Sequence, residues 1–470
     1  MDSEFSAQLW QQLWQALRGT ASPLPEVRFS GEGRFCSCYP VTELASGSMV
    51  LAMQAVADLV GNAQPPEVDC RLASRWFRQS FQPLNREAPA LWDPFAGDYP
   101  TADGWIRLHT NAPHHRAAME SVLGQHRDRA SLAQAVKQWR KTALEEAVIA
   151  AQGCAAEMRS VEEWLQHPQG QSVRQEALID QSRQPEASAP LWRLFPARPL
   201  QGVRVLDLTR IIAGPVATRF LAGLGAEVLR IDPPGWQEPT LEEEVTLGKR
   251  CARLDLKTAD GRQVFEKLLA EADVLVHGYR ADALNNLGYD SETRQKIAPG
   301  LVDVSLNAWG WSGPWRNRRG FDSLVQMGCG IADSGQKWQS SDAPLPLPVQ
   351  ALDHATGYLM AAAVIEGLRQ RLLHNTGFTA RLSLARTALL LTDNPLPATA
   401  QPQEPDTELP ETKQPHGPDQ DLPHDHNVET EITAWGIGYR LRSPLWLPGT
   451  PLVWSRPASP LGSAQPCWRN

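Results

Sequence analysis

At 470 residues, with 42% apolar residues and a formal net charge of −8, the chain can bury more than one core and is too acidic for general nucleic-acid binding. Its seven cysteines are scattered, with Cys36 and Cys38 as the one close pair, which argues against a disulfide scaffold and a cysteine metal site. The opening residues lack a basic-then-apolar leader and no apolar run is expected to span a bilayer, so the expected location is cytoplasmic, with no membrane partner.

In chain order, Leu9, Trp10, Leu13, Trp14 and Leu17 fall on one face of a helix that should dock on the body. Residues 1–185 mix helical patterns with a short strand cluster, and residues 186–200 read as a proline-bearing linker. Residues 201–392 then alternate strand and helix, with strands expected at 203–208, 227–231, 251–256, 273–277 and 301–306. The first of these leads through loop 209–215, with its small residues and Pro215, into an Ala/Leu-rich helix. Such a loop at the carboxyl end of a parallel strand is where α/β sheets bind nucleotide-like ligands. It lacks a G-x-G-x-x-G turn, so a dinucleotide-dependent dehydrogenase is disfavoured even though Asp232 mimics the ribose-binding acid.

Residues 393–430 are crowded with Pro, Gln, Asp, Glu and His and are expected to be a disordered loop. Its His424, Asp425 and His426 are read as solvated, and no metal site is expected. Residues 431–470, again rich in Trp, Leu and Pro, should pack back on the body. An internal repeat is also visible. Glu43, a glycine four residues later and the segment 68–74 match Asp353, Gly357 and the segment 379–385. Residues 1–185 therefore read as a degenerate half-repeat combined with a small-domain-like segment.

Asp353 stands out on chemical grounds. It follows a proline-rich turn at residues 344–348 and precedes an expected helix over residues 356–373. A carboxylate there can be a plain helix cap, held ionised by backbone N–H groups and the helix dipole. It can equally be a nucleophile that attacks an activated carbonyl and carries the acyl group covalently. His354 beside it reads as a packed histidine.

The order of motifs is more specific. The segment VRVLDLTRIIAGPVATRFLAGLGAEVLRIDPPG from residue 203 is followed by KRCARLDLK from 249 and ADVLVHGYR from 272. Then come WGWSGP from 309, GFDSLVQ from 320, and Asp353 with Gly357. Together these resemble the family III CoA-transferases, a group that includes formyl-CoA and carnitine-type transferases and α-methylacyl-CoA racemases. The resemblance implies an α/β fold: a Rossmann-like large domain with a parallel sheet, plus a smaller α+β domain, in chains that can pair as homodimers. It implies Asp353 as the catalytic residue, and CoA lying along Ile212, Ala213, Leu254, Lys257, Gly278, Tyr279 and Arg319. No permanently bound cofactor is implied, because CoA and acyl-CoA are substrates and a carboxylic acid is the other partner.

Where racemases of this group carry Gly-His-Asp, this chain has Gly320, Phe321 and Asp322, and phenylalanine cannot move a proton. The expected activity is therefore CoA transfer through an aspartyl intermediate. The alternatives are an acyl-CoA isomerase or racemase relative and a non-catalytic acyl-CoA-binding paralogue. Asn286 stands where relatives often have an arginine, and no glycine-rich loop follows Ala385. The small-domain signature appears early, at residues 97–109 and 146–168, so the domain order is rearranged.

Overall fold

The computed structural model describes residues 3–397, 422 and 424–469, so most of the loop expected over 393–430 lies outside the described residues. Its centre is a seven-stranded sheet: β1 (Asp180–Glu186), β2 (Arg204–Leu208), β3 (Glu227–Asp232), β4 (Arg250–Arg253), β5 (Val274–His277), β6 (Val302–Asn307) and β7 (Thr376–Ser383). The strand order is β4-β3-β2-β5-β6-β7-β1, parallel throughout except for β1, which runs antiparallel on the edge of β7. Strands β5 and β6 are buried along their whole length, as the apolar runs of a sheet covered on both faces require. The order reverses between β2 and β5, so the loops leaving these two strands open a crevice at their carboxyl ends. The fold is thus α/β, with a Rossmann-like sheet.

Five helices position the rest: α1 (Ser3–Arg18), α2 (Val41–Val60), α3 (Ala213–Gly223), α4 (Asp322–Gly328) and α5 (Ala351–His374). Helix α5 packs on β6 and β7 and against α3, and α2 packs on α5. Helix α1 in turn covers α2, burying Leu9, Trp10, Leu13, Trp14 and Leu17. By length and composition α2 is apolar enough to cross a membrane, contrary to the expectation from its sequence, but 89% of its most apolar 18-residue window is buried in this stack. It is a core helix packed mainly against other helices.

The two segments that read as repeat copies have similar local geometry. Pro40 ahead of α2 and Gln350 ahead of α5 have φ/ψ of −77°/64° and −75°/63°. After each helix a strand leads into another helix, capped by Asp69 on the Leu72 N–H in one copy and by Ser383 on the Arg386 N–H in the other. A separate antiparallel sheet, Gly97–Pro100, Trp105–Leu108 and Ala155–Glu157, packs on α4. The C-terminal residues return to the body: Leu445–Trp446 pairs with Glu67–Asp69, and Trp454 stacks on Trp76 at 5.8 Å. Asp425, read from sequence as solvated, is instead 1% exposed and ion-paired with Arg71 and Arg75, because two guanidinium groups on one helix need an acid there.

Candidate active site

The loop leaving β2 is built on a buried ionic centre. Asp207 accepts the Thr209 N–H at 2.9 Å, the Thr209 and Thr218 hydroxyls at 2.5 Å each, and Lys249 Nζ at 3.0 Å. Lys249 also donates to the Pro215 carbonyl at 2.9 Å, so one ammonium ties the strand to the start of α3. Burial works against the Asp207 charge, but Lys249, Arg230 and the hydroxyls hold its carboxyl below the usual range. Between these anchors Ile211 is forced to φ +68°, a left-handed conformation that β-branched residues rarely adopt, while its N–H donates to Glu238 at 3.0 Å. The Arg210 guanidinium lies 4.7 Å from the Trp236 ring and 5.3 Å from that of Tyr279, bridging the loops after β3 and β5.

Of the residues expected to line CoA, Ile212 caps α3 and Ala213 begins it, Leu254 and Lys257 follow β4, and Gly278 and Tyr279 follow β5. All six therefore lie at the carboxyl ends of β2, β4 and β5 in the one sheet. Arg319 comes from the β6–α4 connection and donates to the Gln152 side chain at 2.8 Å. Asp232 is fully buried and bonded twice to Arg230, at 2.9 and 3.1 Å, so it is engaged within the protein and unavailable to a ribose. Asn286 is exposed and donates to Asp282.

Asp353 is the third residue of α5, which begins five residues earlier than the sequence pattern indicated. It is therefore inside the first turn and does not cap it. The cap comes from elsewhere in the chain: Asp322, the first residue of α4, accepts the Asp353 N–H at 2.9 Å. Gln326, one turn later, donates to the other Asp322 oxygen and accepts the Leu347 N–H at 2.7 Å, which fixes the proline-rich turn. Asp322 and Asp353 are 1% and 7% exposed. Burial pushes the Asp322 carboxyl up to about 6, against the backbone N–H groups that favour its charge. Burial and then the neighbouring Asp322 charge push Asp353 well above the usual carboxylate range. This corrects the expectation that the helix start alone keeps Asp353 ionised, because desolvation by the surrounding core outweighs the dipole.

Gly357, one turn on, brings α5 against α3: a Cβ there would lie 2.4 Å from the Ala213 carbonyl and 3.0 Å from Val216. The helix bearing Asp353 therefore seats directly on the start of α3, where the strained loop ends. Gly357→Ala should force the two apart and destabilise the fold by about 1–3 kcal/mol, read as a lower urea midpoint with an unchanged slope. Glu43, the counterpart of Asp353 in the first copy, is buried and ion-paired with Arg34 at 3.1 Å, and so has a settled structural partner. His354 stacks on Phe77 at 5.0 Å and is a packed residue.

Sequence reasoning missed two features of this site. Asp322 was visible in the Gly-Phe-Asp triplet, but its bond to Asp353 spans 31 residues and has no local signature. His109 and His115, from the small sheet and the helix beyond it, close on Phe321 with ring centroids 3.9 and 5.7 Å away.

The comparisons with known proteins fall on the part of the chain that carries these residues. Residues 200–419 match the family model for CoA-transferase family III. Succinyl-CoA:glutarate CoA-transferase from Mus musculus is 34% identical over 188 residues, 37% of this chain and 42% of that protein. Formyl-CoA:oxalate CoA-transferase from Escherichia coli O81 (strain ED1a) is 31% identical over 201 residues, 40% of this chain and 47% of that protein. An acyl-CoA transferase from Gibberella moniliformis (strain M3125 / FGSC 7600) is 27% identical over 372 residues, 73% of this chain and 63% of that protein. The chain thus spans between 42% and 63% of these three relatives' lengths. Residues 200–419, which carry the β2 loop, Asp322 and Asp353, are thus similar to CoA-transferase family III over somewhat less than half of the chain.

Proposed function

We propose that the chain moves CoA from an acyl-CoA donor to a carboxylic acid, with Asp353 as a covalent nucleophile. One observation carries this reading: Asp353 is a buried carboxylate one helical turn from Gly357, whose backbone rests on Ala213 at the mouth of the crevice. CoA would lie along Ile212 and Ala213, with Leu254, Lys257, Gly278 and Tyr279 beside it and Arg319 towards the small sheet. The relatives named above act on CoA thioesters, which accords with this placement.

In the first step a carboxylate oxygen of Asp353 attacks the thioester carbonyl, the C–S bond breaks, and CoA leaves as thiolate. The thiolate then attacks the aspartyl carbon of the mixed anhydride, releasing the donor acid and leaving an aspartyl-CoA thioester. The acceptor carboxylate attacks that thioester and expels CoA thiolate again. Attack of the thiolate on the acceptor carbonyl forms the new acyl-CoA and returns free Asp353. No net proton is gained or lost, so a carboxylate is the only group the chemistry requires.

The isomerase alternative needs a residue that takes an α-proton. Phe321 cannot, and burial holds both His109 and His115 near 3, where an imidazole is a weak base. Because Asp353 must be ionised to attack, acylation should rise with pH through a midpoint well above the usual carboxylate range, where burial and the neighbouring Asp322 charge hold Asp353. Incubation with acyl-CoA and hydroxylamine from pH 4 to 8, with mass analysis of the Asp353 peptide, should show a hydroxamate that grows over this range. A CoA-binding protein with no adduct at any pH would exclude the nucleophile, and a midpoint near 4 would exclude the coupled pair.

A further inference from the structure

Of the five non-glycine residues with positive φ among the described residues, Ile211 is the one with a β-branched side chain; the others are Asn85, Gln152, Ser340 and Asn375. A branched side chain crowds its own backbone at φ +68°, so something outside the residue must hold it there. The loop is pinned at both ends. Asp207 holds Thr209, and Gly214 packs so closely on Thr209 that an added Cβ would lie 2.3 Å from the threonine Cβ. Ile211, in the middle, is held from another part of the chain: Oε2 of Glu238, on the connection between β3 and β4, accepts its N–H at 3.0 Å.

That carboxylate is itself fixed. The same oxygen accepts the Trp236 indole N–H at 3.2 Å, and Oε1 is ion-paired with Arg230, which is fully buried and bonded to Asp232 on β3. The connection that carries Glu238 is tied down by Arg253 of β4, which donates to the Pro233 carbonyl at 3.1 Å and to the Trp236 carbonyl at 2.9 Å. Glu238 is 5% exposed, so water has no room to replace it as the acceptor. A hydrogen bond to a buried carboxylate is stronger than one between neutral groups, which suits it to balance a strained backbone. Returning Ile211 to negative φ would turn the chain through Ile212 and Ala213, the next two residues.

We propose that Glu238 is a positioning residue that holds Ile211 in its left-handed conformation and so keeps the β2 loop in its binding shape before CoA arrives. The proposal rests on the transferase reading only in taking Ile212 and Ala213 as CoA contacts. Calorimetric titration of the full chain with CoA tests it. Glu238→Met, which removes the acceptor and keeps a side chain of similar length, should weaken CoA binding by about 10-fold or more. Adding Ile211→Gly should recover most of that loss, because glycine takes positive φ without strain. A loss that came only from leaving Arg230 without this partner would not respond to the glycine. Unchanged CoA affinity in folded Glu238→Met overturns the proposal, as does a loss that the glycine does not recover. Should Glu238→Met fail to fold, hydrogen exchange of the unaltered protein decides. The Ile211 amide should be protected before CoA is added, and an amide that exchanges freely until CoA binds overturns the proposal. Affinity lost and recovered in this way, with no adduct on Asp353 of the unaltered protein, would retain the role of Glu238 and remove the transferase chemistry.

Discussion

Lys249→Met is expected to lower the folding stability by about 3–5 kcal/mol, because it leaves the Asp207 carboxylate buried without its cation. Both side chains are fully buried, and Lys249 also holds the Pro215 carbonyl, so no water can replace the ammonium without opening the β2 loop. The loss should appear as a melting temperature lower by roughly 10 °C. Asp207→Asn combined with Lys249→Met should recover part of it, since the uncompensated charge then disappears with its partner. The two single losses adding in full in the double variant would mean that the pair is not coupled. CoA binding should weaken in parallel, because the same ammonium holds the loop in which Ile211 is strained.

Asp353→Asn is expected to move activity and stability in opposite directions. Removing the proposed nucleophile should reduce the proposed CoA transfer by at least about 10^4-fold, the scale seen when a covalent catalyst is deleted. The fold should be unharmed or strengthened at pH 8. A carboxyl whose folded-state pKa is raised contributes stability that is fully present below its unfolded value near 4 and is lost as pH rises through the folded value. The neutral amide of the variant would carry no such penalty, so its thermal advantage should be largest at pH 8 and fade towards pH 4. Identical pH dependence of melting for the two proteins would show that Asp353 is not the raised carboxyl. A trade of stability for function is what a buried reactive carboxylate demands.

Much of the large domain was legible because its strands are short apolar runs that end at small residues, and β2, β3, β5 and β6 lie within one or two residues of where those runs indicate. The residues expected along CoA fall at strand ends for the same reason. The start of α5 was misplaced because Gln350 gives no cap signal; the stabilising acceptor is Asp322, contributed by a different helix. Edge strand β1 was hidden altogether. Its sequence, DQSRQPE, is polar and contains a proline, and it is held by pairing with β7 without a core-facing pattern. The apolar content of α2 was likewise unreadable as to purpose, since burial between α1 and α5 and burial in lipid ask for the same residues. The His109–His115 cluster depends on a small sheet meeting Phe321 some two hundred residues away, which no local pattern encodes.

The pairing of α2 with α5 also sets a problem for synthesis. Helix α2 ends at Val60 and its partner begins at Ala351, so about 290 residues must be added before the larger part of its apolar surface can be covered. At roughly 5–20 residues per second that wait is about 15–60 s. During it a nascent helix with the composition of a membrane span can be covered by α1 and by the helix Cys70–Arg78 that follows it. The tryptophans and leucines of α1, together with the Cys70–Arg78 helix, are thus the apolar cover available to the emerging chain until α5 arrives from the ribosome and takes the other side.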